Sequence, residues 1–354
     1  MDAKFNYQLI ELAREARQYT QKDVASMISF SQSKLSKAEK GQQNLSEQEI
    51  EELAQIYDYP KSFFYQKSDS APVSHLYFRR RLSLSAKVID SFIANTRIYK
   101  KAIDELMDSV DMPEYDLGSY STELNTPQEI AQKIRFILRI NKGPVYNLTT
   151  LLEKHGILIA KIDFGTDKID GLSSITDSGY KIIFLNSKMP NDRMRFSLAH
   201  ELGHMLMHLD YPPKYSDETE READDFASEF LMPQNEILPT LHSLTFQKLG
   251  DLKRYWLVSM RAIVRRAKNL GLIDDRQYRN LQIDFSRYGY TKKEPIVLPA
   301  ELPSVVPDII DLYKSELDYT DQDLMDTMYI NRSDYQKWFG KPKLISLSLN
   351  CLSR

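Results

Sequence analysis

His200 and His204 stand four residues apart in the run Arg195-Phe196-Ser197-Leu198-Ala199-His200-Glu201-Leu202-Gly203-His204. That spacing narrows what the chain can fold into more than any other feature. Positions i and i+4 share one face of an α-helix, so a helix over 196–208 lets both imidazoles reach one metal ion. Glu201 then falls beside the metal rather than on it, where a carboxylate can accept a proton from water. Leu198, Ala199, Leu202 and Leu206 supply the buried side of the same helix. The HExxH string is therefore read as a zinc site, with His200 and His204 as ligands and Glu201 as the catalytic base.

A tetrahedral catalytic zinc takes three protein ligands and leaves one position open. The best source for the third is Glu220-Arg221-Glu222-Ala223-Asp224-Asp225-Phe226-Ala227, which begins sixteen residues after His204. Glu220 and Glu222 cannot share a helical face. If Glu220 binds the metal, Asp224 lies one turn on and can hold a ligand histidine through its other ring nitrogen. That pairing makes Glu220 the first choice and Glu222 the alternative. His208 continues the histidine face, but three consecutive turns diverge from one metal, so it is read as a support behind the ligands. Tyr211, Tyr215 and His208 are candidates for the oxyanion partner.

The strings 195–204, Glu220-x-x-Ala223-Asp224-x-Phe226-Ala227 and Phe230-Leu231-Met232-Pro233 together resemble the ImmA/IrrE family of metallopeptidases. The E-x-x-A-[ND]-x-F-A pattern occurs in other gluzincins too, where its first Glu binds zinc, and this implies Glu220 as the ligand. The run 256–295, with Ser259, Arg266, Leu270-Gly271-Leu272 and Glu294-Pro295, resembles the region that follows the peptidase core in longer members. The resemblance spans about 140–295. It implies a zinc-dependent endopeptidase that cleaves a repressor or antitoxin in a stress or mobile-element response. Residues 300–354 carry no such likeness, and no internal repeat is visible.

Residues 5–66 read as short helices. Leu9, Leu12, Ala13 and Ala16 make a helical stripe, Thr20 is an N-cap for a second helix through Ile28, and Ser31 opens a third that stops near Gly41. Ser46-x-x-Glu49 is a capping box ahead of Ile50, Leu53, Ala54 and Tyr57. This is a helix-turn-helix pattern. In the third helix Leu35 and Ala38 face inward, while Gln32, Ser33, Lys34, Ser36 and Lys37, with Gln21 from the second, offer hydrogen bonds to bases and phosphates. The segment resembles the XRE (Cro/repressor-like) helix-turn-helix family. In that family an Arg at the place of Arg14 pairs with a Glu at the place of Glu39. Residues 1–66 hold eight cationic side chains against ten acidic ones, so any DNA affinity has to come from the locally basic third helix. A small helical bundle for protein contacts is the competing reading. Arg79-Arg80-Arg81 can add phosphate contacts, although such a run also suits a solvated or interdomain face.

The single Cys351 excludes an intramolecular disulfide and a cysteine-rich zinc site. No apolar leader or membrane-length run occurs, so a cytoplasmic setting without membrane contact is expected. The fold class expected is α+β with helices predominating. The domains expected are a helix-turn-helix bundle at 1–66, a linker and helical connector at 67–140, a zincin-like core with a small twisted β-sheet at 141–295, and a C-terminal helical extension at 296–354. Strand 180–185 is expected as the sheet edge nearest the metal, where a substrate peptide can add as a further strand. The partners expected are a double-stranded DNA operator, a repressor or antitoxin as protein substrate, and a second copy in a homodimer. A regulator whose zincin domain is a non-proteolytic sensor or dimerisation platform is the second reading, and a partner-blocking antitoxin the third.

Overall fold

A computed structural model describes residues 5–67, 84–209 and 217–340. Arg79–Arg81, Tyr211, Tyr215 and Cys351 lie outside the described residues. The fold is mostly helical with one three-stranded mixed sheet. The N-terminal helices begin where capping chemistry allows. Asn6, Thr20, Ser31 and Ser46 each accept a backbone N–H from the following turn, opening α1 (Tyr7–Ala16), α2 (Gln21–Ala25), α3 (Gln32–Glu39) and α4 (Glu47–Tyr57). Helix α2 stops three residues before Ile28, because the Ser26 hydroxyl donates to the Asp23 carbonyl and offers the backbone a local alternative to the helix. Gly41, at φ +67°, turns the chain out of α3. A 3₁₀ turn at Lys61–Tyr65 buries Phe63 and Phe64 and closes the module.

A long helix, α5 (Ala86–Met107), packs along α1, with Ser91 and Asn95 donating to the carbonyl of Ala16. Helices α6 (Pro127–Ile137) and α7 (Leu148–Glu153) lead into the strands β1 (Ile157–Ile162), β2 (Gly171–Ile175) and β3 (Lys181–Asn186). The strand order is β1-β3-β2, with β1 parallel and β2 antiparallel to β3. Two expectations are corrected here. The strand at 181–186 is central, not an edge, because both its flanks are hydrogen-bonded. The Gly-, Asp- and Ser-rich stretch between the apolar runs 157–160 and 182–185, expected as turns, contains β2, and β1 and β2 are the two edges.

Alternation along the strands gives the sheet two buried faces. Ile157, Ile159, Ile183 and Leu185 join the core of α6–α7 and the helices that follow the sheet. Leu158, Ala160, Ile182 and Phe184 face the opposite way and share one continuous core with the N-terminal module, α5 and the C-terminal helices. After the sheet come α8 (Asn191–Met207), α9 (Asp217–Leu231), α10 (Gln234–Ile237), α11 (Phe246–Trp256), α12 (Met260–Asn269) and α13 (Asp275–Arg287). The chain then crosses back as α14 (Val305–Glu316), α15 (Asp321–Thr327) and α16 (Arg332–Trp338). Tyr313 on α14 donates to the Leu106 carbonyl of α5, and Arg17 forms a forked pair with buried Asp334 of α16 at 2.7 and 3.0 Å. Among the described residues no helix is long and apolar enough to cross a membrane.

Candidate functional site

Helix α8 carries His200, Glu201 and His204 and is capped at its C-terminus by His208, and α9 carries Glu220, Glu222 and Asp224. The two helices approach closely because α8 has a glycine at the crossing: a Cβ on Gly203 would stand 3.0 Å from the Phe226 ring and 3.4 Å from the Ala223 Cα. Phe226, Ala227 and Phe230 fill the interface. This packing turns the polar edge of α9 toward the histidine face.

His200 Nε2 and His204 Nε2 lie 3.0 Å apart. The Glu220 carboxylate is 3.7 Å from the first and 3.5 Å from the second. Among the described residues these three form a group whose ligand atoms all lie within 4.8 Å of one another. Ligands of a tetrahedral zinc at about 2.0–2.1 Å stand roughly 3.3 Å from each other, so the three separations suit that ion.

The outer nitrogens are held as well. Asp224 Oδ1 is 2.9 Å from His200 Nδ1. His204 Nδ1 meets His208 Nδ1 at 2.9 Å, and His208 Nε2 meets Glu222 Oε2 at 2.8 Å. One assignment satisfies every bond: His204 donates to His208, which donates to Glu222, leaving both inner Nε2 atoms as acceptors for a cation. Glu222, the alternative ligand, is thus placed on His208 and away from the cluster.

Burial drives the electrostatics. It pushes His204 down to about 4 and also lowers His208, which keeps both rings neutral. For His200 burial works downward, but the bond to Asp224 and the nearby Glu201 and Glu220 carboxylates raise it overall. Burial pushes Glu201 up to about 7, with Glu220 adding to the rise. His200 and hydrogen bonds from the Ser173 side chain and backbone oppose it.

Sequence reasoning missed the two β2 residues that seat Glu201. Ser173 binds its carboxylate, and a Cβ on Gly171 would come within 2.7 Å of Glu201 Cγ. The signal was faint: Gly-Leu-Ser-Ser-Ile is five residues long, does not alternate and begins with a glycine. Residues 171, 173 and 175 turn their backbone to the side of β2 away from β3, where Lys100 donates to the Ile175 carbonyl at 2.7 Å and the Ser173 backbone meets Glu201. β2 is thus the sheet edge beside Glu201, and its outer backbone groups are engaged by Lys100 and Glu201. Replacing Gly171 with Ala is expected to displace the Glu201 side chain. Zinc content should stay at the parental level while hydrolysis falls; unaltered hydrolysis would show that Glu201 adjusts without cost.

In the N-terminal module Gln32, Ser33 and Lys37 are exposed and Lys34 and Ser36 half-buried. Lys34 is paired with Glu49. Gln21 donates to Glu39 at 2.6 Å, inside the forked Arg14–Glu39 pair at 2.7 and 3.1 Å. Four of the six residues expected at DNA therefore keep their side chains uncommitted to an ion pair or to Glu39, and Gln21 and Lys34 do not.

Residues 152–268 match the family model described as the IrrE N-terminal-like domain, a peptidase family. Residues 8–62 match the model described as a helix-turn-helix domain. The chain thus joins an N-terminal helix-turn-helix domain to an IrrE N-terminal-like domain. A search of curated proteins returned no match to the chain.

Proposed function

We propose that this protein is a DNA-binding transcriptional regulator whose second domain is a zinc-dependent endopeptidase acting on a repressor or antitoxin-like protein. The observation that carries the reading is Glu201: a buried carboxylate beside three converging ligand groups, seated on the edge strand of the sheet. A metal scaffold alone needs His200, His204 and Glu220 but has no use for that carboxylate. Zinc held by those three residues would lower the pKa of a water from about 15.7 toward 7 and polarise a peptide carbonyl.

The remaining work falls to the chain itself. Asp224 and the His208–Glu222 pair orient the two ligand rings. Glu201, with burial and Ser173 pulling its pKa in opposite directions, takes a proton on its carboxylate and delivers it to the departing amine. At the other end of the chain, Gln32, Ser33, Ser36 and Lys37 meet base edges and phosphates.

Metal content of the purified chain tests the site without knowledge of the substrate. About one zinc per chain is expected in the parent and in Glu222→Ala, and loss in Glu220→Ala. Loss in the Glu222 variant alone would transfer the ligand role. A parent that takes up no metal when zinc is supplied would sink the peptidase reading.

A further inference from the structure

The three C-terminal helices share caps, a turn and a burial register with the first three, although they pack more closely on α5 and β1 than on one another. Helix α1 ends in a residue at φ +59° (Gln18), and α14 is followed by Asp318 at φ +55°. Thr20 opens α2 in a capping box with Asp23, and Thr320 opens α15 in a capping box with Asp323. Ser31 caps α3, and Asn331 caps α16. Each matched position lies 300 residues after its counterpart. Buried residues follow the same register: Ile10 and Ile310, Val24 and Leu324, Leu35 and Tyr335, Ala38 and Trp338.

The polar lock is repeated in altered form. Arg14 is joined to Glu39, which Gln21 also reaches, while Lys314 is joined to Asp321 at 2.6 Å, which accepts from the Tyr335 hydroxyl at 2.9 Å. A turn geometry, two caps and a core periodicity recurring in one register are more than three helices packed against a neighbour require.

We infer that residues 305–339 are a second helix-turn-helix unit, and that the exposed face of α16 is a second contact for duplex DNA. Arg332, Ser333, Gln336 and Lys337 form that face, at the positions of Gln32, Ser33, Ser36 and Lys37 in α3, and all four are exposed. Their chemistry suits the major groove: arginine pairs with guanine O6 and N7, glutamine with adenine N6 and N7, and lysine with phosphate.

Residues 305–340 hold three cationic side chains against eight acidic ones, and the placement of those acids decides whether DNA is tolerated. Asp334 is buried against Arg17, Asp323 is engaged in its capping box, and Asp321 is paired with Lys314. Asp308, Asp311 and Glu316 sit on α14, the helix corresponding to α1 rather than to the reading helix. Asp318 is exposed after α14, and Asp326 on α15 lines a cleft with Arg332, Glu51 and Asp58. Within α16 itself the one acid, Asp334, is buried. One chain thus carries two candidate reading helices.

The test uses the full chain, a fluorescein-labelled mixed-sequence duplex of about 30 base pairs, and anisotropy titrations across a salt series. Arg332→Ala with Lys337→Ala is compared with Ser33→Ala and Lys37→Ala. Each lost cation–phosphate contact removes about 0.9 from the slope of log K against log salt. On a mixed-sequence duplex both cations meet phosphates, so the first double variant should lower that slope by about 1.8 and weaken binding on the order of 10- to 100-fold at 0.1 M salt. Arg332→Lys with Lys337→Arg should keep the slope, since it keeps the charge.

Unchanged affinity and slope in the α16 variant, with the α3 variant impaired, would overturn the second contact and leave the N-terminal reading intact. Loss in the α16 variant with no effect at α3 would support the second contact and sink the first. A parent that binds no duplex would overturn both.

Discussion

Glu201→Gln is expected to leave zinc at the parental level while lowering peptide hydrolysis by about 10²–10⁴-fold, the range a positioned general base contributes. The amide retains the shape of the carboxylate, which matters in a pocket where Gly171 leaves no room for a larger group. Its oxygen can still accept from Ser173, so the strand and helix need not move. What disappears is the capacity to hold a proton in transit. The ligand rings are oriented by Asp224 and by His208 with Glu222, none of which the substitution touches. The measurement pairs metal content with cleavage of a fluorescent casein or a quenched peptide library. In cells, any derepression that depends on cleavage should vanish while DNA binding persists. A Gln variant that cleaves at the parental rate would remove the base role from Glu201.

The largest effect on stability is expected from Lys253→Ala. Lys253 is fully buried on α11, and its ammonium joins Asp192 in the first turn of α8 to Glu294 at 2.7 Å. Glu294 also accepts the backbone N–H of Met260 at 2.8 Å and of Arg261 at 3.2 Å, which ties the start of α12 to the same cation. Removing the lysine leaves two carboxylates facing a low-dielectric interior without a counter-charge. Breaking a buried pair in this way costs about 3–5 kcal/mol.

Urea unfolding followed by Trp256 fluorescence, in a Trp338→Phe background, reads the half of the molecule concerned. Lys253→Met combined with Asp192→Asn and Glu294→Gln should recover much of the loss, because no uncompensated charge remains. A loss below about 1 kcal/mol for Lys253→Ala would mean that water reaches the carboxylates and that the cluster is not the dry lock described.

What could be read directly from the sequence was whatever neighbours along the chain decide. The i, i+4 spacing of His200 and His204, the caps at Thr20, Ser31 and Ser46, and the short β-like apolar run at 157–160 each involve residues within a turn or two, whose geometry is nearly independent of the rest of the fold. The family likeness and the helix-turn-helix pattern rest on the same local strings. The Asp224 spacing and the family likeness already favoured Glu220 over Glu222; tertiary structure set its distances to the histidines, since those depend on how α9 rolls against α8 at Gly203.

Packing also decided the place of β2. Five residues of Gly-Leu-Ser-Ser-Ile become a strand because β3 provides a ladder and α8 provides Glu201, partners that no local pattern announces. The second three-helix unit was hidden for a related reason. A buried position asks only for an apolar side chain that fills the space available, so Ala38 and Trp338 can serve one role with nothing in common as letters. Local hydrogen bonding wrote the caps and the histidine face into the sequence. Long-range packing, which accepts many residues at each position, left the sheet edge, the ligand geometry and the repeated fold to be settled in three dimensions.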